Sequence, residues 1–169
     1  AATGSQSLWT VCRQTAVSVH QPPPDITVLS NILALAGGLT AQARPAGEKF
    51  YFRSAPSAGA LYPNEIYLFW PHAPEPGPGV YHFDPSRHRL LRLRKNGVAP
   101  ETTTEPLFIV TGIFFRSAWK YRDRAYRYVL LDAGHLLENL RLAAAANGYA
   151  AALMLNFDDA SLERLLAID

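Results

Sequence analysis

The sequence predicts an α+β fold, a central mixed or antiparallel sheet with helices packed around one long buried helix. Three observations carry this prediction. Residues 125–148, "AYRYVLLDAGHLLENLRLAAAANG", repeat apolar residues at helical spacing over several turns. Shorter runs at 65–70, 80–94 and 106–115 are rich in aromatic and branched residues, as strands are. Proline and glycine clusters separate these runs, so the elements alternate with turns and no repeat emerges.

In chain order, "QPPPD" (21–25) forbids both helix and strand, and Asp25 can then cap a helix through "ITVLSNILALAGG". Ile26, Leu29, Ile32, Leu33 and Leu35 or Ala36 form its buried stripe, and Gly37-Gly38 stop it. Residues 39–52 read as a loop containing Arg44-Pro45 and Gly47. "EIYLFW" (65–70) reads as a strand ended by Pro71, and "HAPEPGPG" (72–79) as a loop. "VYHFDPSRHRLLRLR" (80–94) is a hairpin with Asp84-Pro85-Ser86 at its turn.

"PLFIVTGIFF" (106–115) is a continuous apolar run, expected as a strand buried on both faces. The long helix carries Val129, Ala133, Leu136, Leu137, Leu140, Ala143 and Ala144 on its stripe. Leu130, Leu131 and Leu142 widen it until the helix should be mostly buried, and Asn147-Gly148 close it. "YAAALMLNF" (149–157) reads as a further central strand, and "DDASLERLLAI" (158–168) as a short helix capped by Asp158 or Asp159.

The 169 residues, 49% hydrophobic and 18% charged, fit one ordinary globular domain with a full core. A single cysteine, Cys12, allows no internal disulfide and suits a reducing compartment. Sixteen Lys+Arg against fourteen Asp+Glu leave a net charge of +2, too mild an excess to argue for nucleic acid. The first residues lack a secretory pattern, and no apolar run approaches the roughly 18 residues of a spanning helix. A cytoplasmic protein is the default expectation.

Three constellations can carry chemistry. "PSAG" (56–59) is a turn nearly free of side chains, the surface that a flat ring or a phosphate approaches; it is also what any tight turn needing positive φ at Gly59 looks like. Lys120-Tyr121 lies among arginines and aromatics in "SAWKYRDRAYRY" (117–128). A neighbouring ammonium and phenol can make a proton-transfer pair, and the same residues can make a solvated basic face. Asp132, His135 and Asn139 lie three and four apart on the long helix, where a histidine amid Leu and Ala is expected to be a hydrogen-bonded core residue. No metal centre is expected, and no GxGxxG, P-loop or nucleophile elbow occurs.

The motifs "RSAPSAGALYPNEIY" (53–67), "GVYHFDP" (79–85), "FIVTGIFFRSAWKYRDRAYRYVLLDAGHLLENLRLAAAANG" (108–148) and "FDDASLERLLAID" (157–169) stand in an order that resembles one family. It is the FMN-dependent nitroreductase-like fold, in the SagB-type dehydrogenase branch that includes the azoline dehydrogenases of thiazole- and oxazole-containing peptides. The resemblance implies one nitroreductase-like domain over 1–169, FMN as cofactor and a two-fold homodimer (or a pair with a homologous chain). The flavin would lie at that interface, to which the helix carrying His135 belongs. It implies that Pro56, Ser57, Ala58 and Gly59 run along the flavin, and that Lys120 and Tyr121 are catalytic, assisting removal of a Cα proton while flavin N5 accepts a hydride. Arg13 and Thr15 would stand in for the family's phosphate-gripping segment, and Asn156 would stand where the family keeps small residues near N5.

The chain also departs from the family pattern. Residues 1–25 match poorly, and Val17 occupies a basic position whose loss removes one charge-assisted contact, about 1.5–3 kcal/mol. Leu155 and Asn156 replace small residues, and the family's last segment does not follow Asp169. The retained Lys120-Tyr121 pair makes an active oxidoreductase the expectation, and these departures favour the alternative, a flavin-free scaffold or docking subunit for a catalytic partner.

Overall fold

A computed structural model describes residues 22–44, 47, 49–75, 77–95 and 105–167. Helix α1 (Ile26–Gly37) begins where predicted, and the Asp25 side chain accepts a hydrogen bond from the Val28 N–H. Strands β1 (Leu39–Ala43) and β2 (Phe50–Arg53) form an antiparallel ribbon. A single 3-10 turn at Ala58–Ala60 leads into β3 (Asn64–Trp70). β4 (Gly79–Asp84) and β5 (Arg89–Lys95) make the predicted hairpin, and β6 (Leu107–Gly112) returns beside β3. The four pair antiparallel in the order β5-β4-β3-β6. Helix α2 (Phe115–Tyr121), a 3-10 turn (Arg122–Arg124), the long α3 (Ala125–Ala146) and α4 (Asp159–Leu166) complete the order.

The alternation of β3 explains the layering, since successive side chains point to opposite faces. Ile66 packs with Ile32, Leu33 and Ala36 of α1 and Leu136, Leu140, Ala143 and Ala144 of α3. Leu68 and Trp70 join Leu29, Ala73 and Tyr81 on the same side. Phe69 on the other face meets Val80, Ile109, and Leu165 and Leu166 of α4. The sheet is thus covered by α1 and α3 on one face and by α4 on the other.

Four expectations are corrected. Residues 39–52 are not simply a loop, because β1 and β2 pair within them, through Leu39–Arg53 and Ala43–Phe50. Gly47 stands between its strands, but no apolar–polar alternation marked them, and its aromatic side chains stay exposed. β6 has helices over both faces, yet among its residues only Ile109 is buried, because β6 lies at the edge of the four-stranded sheet. Residues 149–157 form no strand; Leu153, Met154, Leu155 and Phe157 are exposed and pair with no strand among the described residues. Finally, α3 is buried along one stripe rather than over most of its surface, and Leu130 and Leu131 are exposed.

Hairpin and core yield two expectations. The Asp84 carboxyl is held down at about 2 from the usual 3.8, first by the Ser86 hydroxyl and then by Arg89 and the Ser86 N–H. A depressed carboxyl stabilises the fold above its unfolded value and loses that effect as pH falls through the folded one. The stability difference between the parent and Asp84→Asn should therefore shrink as pH drops from 3.8 toward 2, read by urea unfolding. Leu29, fully buried against Leu68 and Trp70, should cost about 2–5 kcal/mol when replaced by alanine, measured the same way.

Candidate functional site

The site is built around the turn that follows β2. Ser57 is extended, at φ −146° and ψ 141°, and the next residues turn sharply: Gly59 has φ 65°, Ala60 φ 54° and Tyr62 φ 47°. Only the first of these conformations is easy for its residue, so the surroundings must hold the other two. They do so with hydrogen bonds. The Tyr62 N–H donates to Ser57 Oγ at 2.9 Å, and Ala60 N–H to the Ser57 carbonyl at 3.0 Å. The Arg53 N–H donates to the Tyr62 hydroxyl at 3.0 Å, while the Arg53 guanidinium lies 5.1 Å from the centre of the Tyr62 ring. Burial lowers the pKa of Arg53, and the negative charge of Glu65 partly restores it.

Beneath the turn lies Asp132 of α3, 8% exposed. It accepts the Ser57 hydroxyl at 2.6 Å and the Ala58 N–H at 3.1 and 3.2 Å on its two oxygens. Gly37, Arg53, Ala55, Pro56, Asn64 and Leu136 line a shallow recess with these residues.

A second network fixes α2. Glu65 on β3 is buried, accepts from His82 Nε2 at 2.8 Å, and is paired with Arg116. Arg116 also donates to the Tyr62 carbonyl at 3.2 Å. One helical turn further on, Lys120 shares the face of Arg116. Lys120 and Tyr121 reach over the turn: a Cβ placed on Gly59 would stand 2.6 Å from Tyr121 Oη and 2.7 Å from Lys120 Nζ. Lys120 Nζ lies 5.4 Å from the Tyr121 ring centre, and Tyr121 packs on Tyr128 at 4.7 Å. Arg122, directly after the pair, takes φ 51° as α2 ends. A lysine, a phenol and bare backbone therefore meet at one exposed point, which suits proton transfer beside a ligand lying on the turn.

The structure thus brings Ser57, Ala58, Gly59, Lys120 and Tyr121 together, with Pro56 exposed at the edge of the turn. Asn156 is exposed in the strandless segment 149–158. Arg13, Thr15 and Val17 lie outside the described residues. His135, expected in the core, is exposed instead, its Nδ1–H donating to the Leu131 carbonyl at 2.8 Å. The residue missed in the same motif is Asp132. Its signal was available, since Val129, Asp132 and Leu136 recur on the buried stripe, where a carboxylate needs donors. Glu65 was likewise read only as the start of a strand. Among the described residues no group of His, Cys, Asp and Glu is gathered to hold a metal, and no helix is long and apolar enough to cross a membrane.

A Nitroreductase family model matches residues 20–169. The chain belongs to the nitroreductase family. It is 30% identical over 157 residues to the nitroreductase-like protein MJ1384 of Methanocaldococcus jannaschii, covering 86% of this chain and 76% of that one. It is 30% identical to the trifolitoxin-processing protein TfxB of Rhizobium leguminosarum and 28% to the microcin B17-processing protein McbC of Escherichia coli, each over 69% of this chain. These two relatives support the SagB-type branch of the family. The chain spans only 36% of TfxB and 49% of McbC.

A solved nitroreductase-like structure from Anabaena variabilis superposes with a TM-score of 0.77 at 38% identity, covering 88% of this chain and 34% of that one. A chain of the E. coli microcin synthetase McbBCD complex, solved with truncated pro-MccB17 bound, shares the fold with a TM-score of 0.71 at 22% identity, over 88% of this chain and 60% of that one.

Gly59 provides a direct check of the geometry. Gly59→Ala places a methyl group against the tips of Lys120 and Tyr121 at a left-handed φ, so it should cost about 1–2 kcal/mol in urea unfolding.

Proposed function

We propose that this nitroreductase-family chain is an FMN-dependent dehydrogenase that oxidises azoline rings in peptides or carrier-bound intermediates. The observation that carries the reading is the meeting of Lys120 and Tyr121 with the bare Gly59 backbone. The turn fits a flat ring: its residues carry little side-chain bulk, Pro56 and Gly59 are exposed, and Lys120 stands exposed beside them. FMN, when bound, supplies the two-electron acceptor.

The chain's own residues do the rest. Pro56, Ser57, Ala58 and Gly59 offer backbone to the ring, with Asn156 assigned to its neighbourhood, and Arg13 and Thr15 are assigned to the phosphate. Lys120 and Tyr121 would take the Cα proton of the azoline, and FMN, when bound, would supply the acceptor for the two electrons that leave as the ring becomes an aromatic azole. Lys120 and Tyr121 stand together over the bare turn, within reach of a proton on a substrate lying there.

The working unit in this reading is a homodimer, or a pair with a homologous chain, and residues 1–169 form one domain. Exposed Tyr126, Leu130 and Leu131 on α3 and Leu153, Met154, Leu155 and Phe157 beyond it are the apolar surface that such a partner would cover. A cytoplasmic setting agrees with the single cysteine.

Two measurements test the reading. Purified protein mixed with excess FMN and gel-filtered should emerge yellow, at the mass of a dimer. A colourless protein would leave the flavin-free scaffold as the function and overturn the dehydrogenase. With an azoline peptide as substrate, Lys120→Ala and Tyr121→Phe should each lower kcat about 100-fold or more while flavin content stays at the parental level. Parental turnover in both variants would remove the pair from the chemistry.

A further inference from the structure

A serine beside a cofactor turn is usually credited with touching the cofactor, but here its hydroxyl is already committed. Ser57 Oγ donates inward to Asp132 at 2.6 Å and accepts the Tyr62 N–H at 2.9 Å. Asp132 in turn takes the Ala58 N–H on both oxygens. A carboxylate this buried carries a large desolvation cost unless donors meet it, and Ser57 and Ala58 are the donors bonded to it among the described residues. The arrangement is self-consistent in both directions: the turn satisfies the carboxylate, and the carboxylate fixes the turn.

Backbone conformation supplies the second observation. Ala60 and Tyr62 both hold positive φ just after this bond set, and strained residues persist where the surroundings over-determine them. Tyr62 is pinned by Ser57 Oγ through its N–H, by Arg53 through its hydroxyl and by Arg116 through its carbonyl. Three elements therefore converge on one turn: α3 through Asp132, β2 through Arg53 and α2 through Arg116.

We propose that Asp132 is the positioning residue of the Ser57–Tyr62 turn, acting through the Ser57 hydroxyl and the Ala58 N–H, and that Ser57 serves this latch rather than the cofactor. What the latch does for flavin binding rests on the dehydrogenase reading above; the latch itself does not. Asp132 holds Gly59 beneath Lys120 and Tyr121, so the spacing between bare backbone and proton-transfer pair is set from α3. His135, the more conspicuous member of the same motif, has no part in it, its ring being turned back to the Leu131 carbonyl.

The test uses Asp132→Asn, Ser57→Ala and Ser57→Thr in the full chain, with residue-resolved amide exchange and FMN titration. Asn can accept one of the two donors but turns an NH2 toward the other, so the Ala58 amide should exchange about ten- to hundred-fold faster while core amides such as Leu68 stay protected. Ser57→Ala should free the Tyr62 amide. Ser57→Thr keeps the hydroxyl at an extended backbone position that a β-branched residue accepts, so it should restore protection.

For FMN, Asp132→Asn and Ser57→Ala should each weaken affinity about tenfold or more, and the double variant should be no weaker than Asp132→Asn alone, because both act on one path. Multiplying losses would mean that Ser57 touches the cofactor independently, and would overturn the latch. Unchanged Ala58 exchange in Asp132→Asn would overturn it too, as would faster exchange throughout the core with FMN affinity intact. If the parent protein binds no FMN, the dehydrogenase reading fails by itself, and the exchange at Ala58 and Tyr62 still decides the latch.

Discussion

Burying the Asp132 carboxylate beside Leu136 creates a demand that one part of the chain is shaped to meet. A charge removed from water must find donors, and in this recess they come from the Ser57 hydroxyl and the Ala58 N–H. That requirement draws the turn after β2 onto α3, which in turn fixes how α3 lies against the start of β3. Gly112, at the end of β6, shows how little slack the packing leaves, since a Cβ there would stand 2.7 Å from Val129 Cγ1, one helical turn from Asp132. Apolar contacts supply most of the stabilisation across this interface, and they would tolerate small sliding of the helix. The hydrogen bonds of Asp132 are directional and do not.

Glu65 plays the corresponding part for α2. Its strand position is buried on both neighbouring sides, and its two oxygens are used by different elements, His82 of β4 and Arg116 of α2. A short helix of seven residues has little stability of its own, so its placement depends on what it is tied to. Arg116 binds its first turn to the sheet and to the Tyr62 carbonyl, and Lys120 and Tyr121 follow one turn later. The two buried carboxylates thus hold the two halves of the site, the bare turn and the polar pair, from separate elements, and Tyr62 is bonded to both assemblies.

Much of this was legible in the sequence because the relevant signals were local. Asp25 caps its helix as expected, Asp158 is the cap of the two offered for the last helix, Gly59 takes the positive φ expected of it, and Asp84-Pro85-Ser86 turns the hairpin. The meeting of "PSAG" with Lys120-Tyr121 was legible only through family resemblance, because roughly sixty residues of chain separate them and spacing along the chain carries no information about that contact. Asp132 was overlooked for a different reason. Histidine is the more familiar functional residue, although a carboxylate on the apolar stripe of α3 is the more anomalous one. The β1–β2 ribbon was missed because its exposed residues lack the alternation that burial of one face imposes.

The remaining errors share a direction. Leu130 and Leu131, expected on the buried stripe, are exposed; residues 149–157, expected as a central strand, are exposed coil; Phe115, expected at the end of a buried strand, stands 80% exposed on α2. Hydrophobic pattern encodes removal from water, and it says nothing about whether the covering atoms belong to the same chain. Exposed apolar side chains stand on α1 (Leu35), on the β1–β2 ribbon (Phe50, Tyr51 and Phe52) and on β5 (Leu93) as well as on α2, the outer face of α3 and the segment that follows it. Phe115 and Trp119 on α2 and Tyr126 at the start of α3 flank the Lys120–Tyr121 pair in the chain, so part of this uncovered apolar surface adjoins the candidate site.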